Sequence, residues 1–168
     1  SVGRPATAPA DWWDAMFASA ERFGKQSTGS DRTDIVIADF EGPDYGNWKV
    51  TGEAFGTGPA PGKLPRQMEV PGFQGKGLVN TFLPGDSGTG TLTSPPVKIE
   101  RRFVNFLIGG GGFHGKTCVN MLVGGKVVRT AAGTSVIPGA GNETLDWCSW
   151  DVREFLGQQA VFRIVDSH

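Results

Sequence analysis

Glycine and proline punctuate this chain too densely for long helices: 26 Gly and 11 Pro occur in 168 residues, well over the ordinary share of about 12%. They are the two weakest helix formers, costing about 1 and 3 kcal/mol per residue relative to Ala. With 38% hydrophobic and 10% aromatic residues the chain can still bury a core, so the composition is not that of a disordered segment. It points to one turn-rich, mostly β domain. Lys+Arg 16 against Asp+Glu 17 leaves a formal net charge of −1, without the basic excess of a nucleic-acid binder. No apolar run approaches the ~20 residues of a membrane-spanning helix.

Periodicity divides the chain in two. Residues 1–10 read as a loose polar leader. Trp12, Trp13, Met16, Phe17, Ala20 and Phe23 then recur at steps of three and four, one face of a short helix over about 11–23. Gly24 supplies its stop, and residues 26–30 a flexible link. Residues 1–33 are therefore an appended leader and 34–168 the main module. In the module the helical period disappears. Ile35-Val36-Ile37-Ala38-Asp39-Phe40 is β-branched and nearly all apolar, which predicts a strand buried on both faces. Further strands are expected at 47–51, 77–83, 90–94, 103–108, 118–123, 126–130, 147–152 and 159–165. Residues 56–65 hold three prolines and read as a long loop. Gly124-Gly125 between two β-rich runs predicts a two-residue hairpin. Eight or nine short strands with turn-rich connections are the pattern of a β-sandwich.

Gly110 to Thr117 fits the phosphate-cradling pattern G-x-x-x-x-G-K-[ST]. That chemistry needs a helix to begin at the Lys-Thr, yet the next residues are Cys118-Val119-Asn120-Met121-Leu122-Val123, a strand. The loop is read as a β connection, and no nucleotide is expected. His114 and His168 are the only histidines, and without a Cys/His cluster zinc is not indicated. No Gly-x-Ser-x-Gly elbow frames a serine. Asp39, Glu41 and Asp44 lie close together, and hard carboxylate oxygens are what calcium selects; Asp39 and Glu41 are the candidate ligands, with solvation of a turn as the other reading. Tyr45, Trp48, Trp147 and Trp150 could offer flat apolar faces to sugar rings, although large aromatics also dominate cores. Asn142-Glu143-Thr144 is a formal glycosylation sequon, and two cysteines, Cys118 and Cys148, leave the redox compartment open.

Several stretches together resemble a known module. They are Ala38-Asp39-Phe40-Glu41-Gly42, the run from Tyr45 to Ala60, the run from Gly72 to Asn80, and that from Gly88 to Pro95. Asn105 to Gly112 follows, leading into Gly115-Lys116-Thr117-Cys118, and the set closes with Gly125 to Ala131 and Trp150-Asp151-Val152. The chain resembles, over roughly 35–166, the non-catalytic β-sandwich module attached to bacterial glycoside hydrolase family 32 enzymes, the levanase, inulinase and invertase group. The resemblance implies a galactose-binding-like jelly roll. It also implies an accessory role in a secreted or periplasmic fructan-degrading hydrolase: weak binding of a fructan or other glycan, or bracing of a catalytic domain. The alternatives are an N-terminal fragment of the fructosidase itself, with its catalytic part on another chain, and a structural or partner-binding sandwich without a sugar site. The family's catalytic signatures (Trp-Met-Asn-Asp-Pro-Asn-Gly, Arg-Asp-Pro, Glu-Cys) do not occur in this chain, and no framed carboxylate pair stands in for them. Where related modules carry His after four glycines, Phe113 stands here and His114 follows. Expected glycan contacts are Tyr45, Trp48, His114 and Arg129, with no cofactor beyond a possible structural calcium.

The last expected strand ends near His168, whereas the resembling modules continue through a Gly-Trp-Gly-type turn into one more strand. If 35–38 is a central strand, one side of it would then lack a neighbour. The sequence thus predicts a module short of its last strand, completed by a second chain or another copy.

Overall fold

A computed structural model describes residues 33–83, 85, 87–133 and 142–168. The expected helix at 11–23 lies outside them. These residues form eight strands: β1 Lys49–Gly52, β2 Gly90–Thr93, β3 Val97–Lys98, β4 Phe103–Ile108, β5 Thr117–Val123, β6 Lys126–Ala131, β7 Asp146–Asp151 and β8 Gln159–Asp166. One 3-10 turn, Arg153–Phe155, joins β7 to β8. The regular structure of the described residues is thus nearly all β, in keeping with the Gly and Pro content.

The strands form two sheets. The larger runs β1-β2-β8-β5-β6, with β3 also paired to β8; the smaller is β4-β7. All the pairings are antiparallel. β8 is the organising strand, long enough to pair β5 along one edge and both β2 and β3 along the other. Among the described residues only β5-β6 is a tight hairpin. Its turn residues Gly124 and Gly125 sit at φ 57 and 79, the two positive angles of the turn whose twist matches flanking strands.

The two sheets meet in one core. Met121 of β5, Ala131 of β6, and Ala160 and Phe162 of β8 pack with Trp150 of β7, Val152 and Ile99, and Val104, Phe106 and Ile108 of β4 close the cluster. Phe106 meets Trp150 edge-on at 4.7 Å between centroids, a favoured aromatic geometry. A second cluster, Tyr45, Ala54, Phe55 and Leu92, lies under the β1-β2 end, with Trp48 touching both. Fully burying a side chain such as Leu92 stabilises the fold by about 1.5–3 kcal/mol.

Two expected strands are absent. Residues 34–40 form no strand, and Val36 is 72% exposed. Hydrophobic content alone makes no ladder; here Phe40 turns to φ 54 and sets its ring edge-on to Tyr45 and Trp48. No central strand stands at 35–38 to lack a neighbour. Residues 77–83 contribute a single bridge, Leu78 to Ala60. Buried Asn80 prevents more: its side chain donates to the Gly62 carbonyl, exchanges bonds with Gln67, and accepts the Phe82 N–H. The side chain serves loops where a ladder would have run. The two-residue β3, by contrast, was not anticipated, because Pro95-Pro96 immediately before it reads as a terminator.

Candidate functional site

The Gly-rich loop after β4 leads Lys116 and Thr117 straight into β5. The Thr117 hydroxyl donates to the Gly111 carbonyl and its N–H to the Phe113 carbonyl. The loop closes on itself, so its Lys-Thr does not begin a helix. His114 is exposed on this loop, while neighbouring Phe113 stacks on His168 at 4.0 Å.

Asp39 and Glu41 serve backbone groups. Asp39 accepts the Glu41 N–H at 3.2 Å, and the Glu41 carboxylate accepts the N–H groups of Lys76 and Gly77. Glu41 thereby fastens the 75–77 turn across 35 residues of sequence. Among the described residues no group of three or more His, Cys, Asp or Glu side chains converges as a metal site would.

The four expected sugar contacts do not come together. Tyr45 is buried, and its hydroxyl donates to the Phe55 carbonyl at 2.9 Å. Burial pushes its ionisation up to about 12. Trp48 packs between the two clusters. Both belong to the β1 end of the larger sheet, whereas Arg129 lies on β6, the opposite edge.

Arg129 is where polar chemistry concentrates. The β5-β6 register slips between Met121 and Leu122, whose partners are Arg129 and Val127. Val128 is therefore an extra residue, and such a bulge re-aims the side chain beside it. Val128 packs on the core. The Arg129 guanidinium lies 5.2 Å over the Phe155 ring, donates to the Asp151 carbonyl at 2.9 Å, and pairs with Glu154. Asp151 in turn accepts from Arg102 at 3.1 Å and is gripped by Arg153 through side chain and N–H. The Arg153 hydrogen bond, seconded by Arg102, holds the Asp151 carboxyl well below the usual carboxylate range. Arg129, Asp151, Arg153 and Glu154 line an open groove of about 270 Å³. With Arg102 on Asp151, the cluster gathers three guanidiniums and two carboxylates, donor-rich with one net positive charge. Of this set the sequence proposed Arg129 alone as a contact, and Asp151 figured only within the Trp150-Asp151-Val152 stretch; the alternating charges of Asp151-Val152-Arg153-Glu154 beside a turn were a further local signal.

The strand pair β4-β7 leads away from that cluster. Its registers are Phe103 with Asp151, Asn105 with Ser149, and Leu107 with Trp147. Side chains alternate across a strand. Val104, Phe106, Ile108, Cys148 and Trp150 face the core, so Phe103, Asn105, Leu107, Trp147, Ser149 and Asp151, which alternate with them, face outward. Of these, Phe103 is 47% and Trp147 60% exposed, and no other aromatic among the described residues is exposed. Cys148 is a free thiol whose ionisation burial pushes up, and Cys118 is buried and also free.

No family model matches the chain, and no solved structure matches it. It is 40% identical over 136 residues to "Putative glycosyl hydrolase ecdE" of Aspergillus rugulosus, a match covering 79% of this chain and 18% of that protein. The chain thus spans under a fifth of the relative's length. This ties it by homology to a protein named as a glycosyl hydrolase.

Proposed function

We propose that this chain is a non-catalytic, carbohydrate-binding β-sandwich module of a secreted glycoside hydrolase, with a galactose-binding-like jelly roll as its architecture and fructans as its first candidate ligands. The homology to a small part of a protein named as a glycosyl hydrolase carries the reading. The sequence motifs shared with family 32 accessory modules supply the fructan preference and the secreted location. The site chemistry is in keeping with binding: hydrolysis of a glycosidic bond calls for two carboxylates aimed at one bond, and here Asp151 and Glu154 are each committed to arginine. Arg129 at the groove and His114 on its exposed loop are the expected contacts that face solvent-accessible chemistry. Structural calcium at Asp39 and Glu41 is retained as a proposal, tested by comparing thermal melts in chelator and in calcium.

The small share of the relative that is covered favours a second role beside the first, bracing a catalytic portion elsewhere in a longer polypeptide. Affinity gel electrophoresis of the chain against levan, inulin and unrelated glucans tests the main reading. Retarded migration in a fructan gel, without release of sugar, is the expected outcome. Migration unaltered by every glycan would leave only the bracing role.

A further inference from the structure

We infer that the outward face of the β4-β7 strand pair is a glycan-binding platform that grips an extended oligosaccharide at two points. The inference rests on the carbohydrate-binding reading above and gives it a site. Exposed aromatic surface is costly to leave in water, and among the described residues only two aromatic side chains are exposed, Phe103 and Trp147. Both stand on this one face, on different strands and at opposite ends of it.

Phe103 and Leu107 are four residues apart, and Leu107 is the cross-strand partner of Trp147. At a rise of about 3.4 Å per residue the two rings are therefore separated by roughly 13 Å along the strands, longer than a single sugar ring. Between them lie Asn105 and Ser149, directly opposed, an amide and a hydroxyl that both donate and accept. The Phe103 end carries Asp151, with the Arg102 guanidinium 4.8 Å above the Phe103 ring.

This pattern selects its occupant. A sugar ring presents polarised C–H groups on its faces and hydroxyls around its rim. The C–H face suits the electron-rich face of an aromatic ring, and the rim suits an amide, a hydroxyl and a charged pair. A protein helix or a lipid surface would ask for continuous apolar cover, and the central Asn105-Ser149 pair interrupts it. Two aromatic stations separated by a polar middle fit a neutral chain of sugars and give a monosaccharide only half the contacts. The groove lined by Arg129, Asp151, Arg153 and Glu154 shares Asp151 and Arg153 with the cluster at this end, so a longer chain can continue onto it.

The test uses the whole chain with Phe103→Ala, Trp147→Ala and the double variant. Each is run in affinity gels of levan, inulin and a β-glucan, and titrated with oligosaccharides of increasing length. Both side chains are exposed, so melting temperatures should hold within a few degrees. Each single variant is expected to weaken binding about tenfold, and the double variant to abolish it. Wild-type affinity should climb with chain length until both stations are filled. Wild-type retention matched by the double variant would overturn this site while leaving the carbohydrate reading intact. No retention of the wild type by any glycan would overturn both. Light scattering that shows a wild-type dimer dispersed by the double variant would assign the face to a second copy and overturn the platform.

Discussion

Tyr45 is the only tyrosine in the chain, which makes its environment readable in solution. Its ring is buried in the cluster with Phe55 and Leu92, and its hydroxyl donates to the Phe55 carbonyl. Ionisation would leave a buried phenolate facing a carbonyl oxygen, so burial raises the folded-state value from 10.0 to about 12. The unfolded chain titrates near 10. A group raised on folding contributes stability that is complete below the unfolded value and lost as pH rises through the folded one. Tyrosinate absorbance should therefore appear near pH 10 in denaturant, but only near 12, or together with unfolding, in native buffer. A native midpoint near 10 would mean that the hydroxyl reaches water. Tyr45→Phe should cost about 1 kcal/mol at neutral pH, the net worth of one hydrogen bond, and should flatten the alkaline loss.

At the scale of elements, the tightest constraint is where β1 meets β2. Gly52 has φ +75, and a Cβ there would lie 2.2 Å from the Thr89 carbonyl oxygen and 2.7 Å from Gly90 Cα. Both obstacles are backbone and cannot rotate away. Gly115, at φ +81, has open space around it. Gly115→Ala should thus cost only the left-handed penalty of about 1–2 kcal/mol. Gly52→Ala should add overpacking, for a total of about 2–4 kcal/mol and a melting temperature lowered by roughly 5–10 °C. Differential scanning calorimetry of the two variants checks the contrast; equal losses would show that the β1-β2 contact can open at little cost. These elements also mark how far sequence could be read. Seven strands and the Gly-Gly hairpin were legible because alternation, turn residues and β-branching agreed there. Ile35 to Phe40 misled because apolar content says nothing of whether a partner strand exists. The outward face of β4 was hidden for a related reason: Phe103, Phe106 and Leu107 look alike in a run of apolar residues, and only pairing shows which face solvent. Trp147 and Trp150 are likewise two tryptophans in one strand, and the pleat alone separates the exposed from the buried one. Arg129 was visible as a residue, but its partners depend on a bulge that no local pattern announces.

Across the whole molecule, the wiring sets how the chain must fold. β1 pairs β2 across about forty residues, Leu92 of β2 faces Ile164 of β8, and β4 pairs β7 across a similarly long gap. Only β5-β6 closes locally. Folding dominated by non-local pairing is slow, in the range of milliseconds to seconds, because loop-closure entropy is lost before the contacts repay it. A hairpin forms in about 1–10 μs, so β5-β6 is the natural first structure. β8 can then add to the β5 edge, and β2 only after β8 is in place. The order predicts opposite kinetic signatures for two variants. Gly124→Ala strains the hairpin turn at φ +57 by about 1 kcal/mol, and should slow refolding about fivefold with unfolding little changed. Leu92→Ala empties a fully buried site on β2 at about 2–5 kcal/mol, and should act chiefly by speeding unfolding, since its contacts form after the barrier. Stopped-flow refolding and unfolding in denaturant, followed by tryptophan fluorescence, reads both limbs. If Leu92→Ala slows refolding in proportion to its destabilisation while Gly124→Ala does not, the chain nucleates on the β2-β8 pairing instead, and the hairpin joins late.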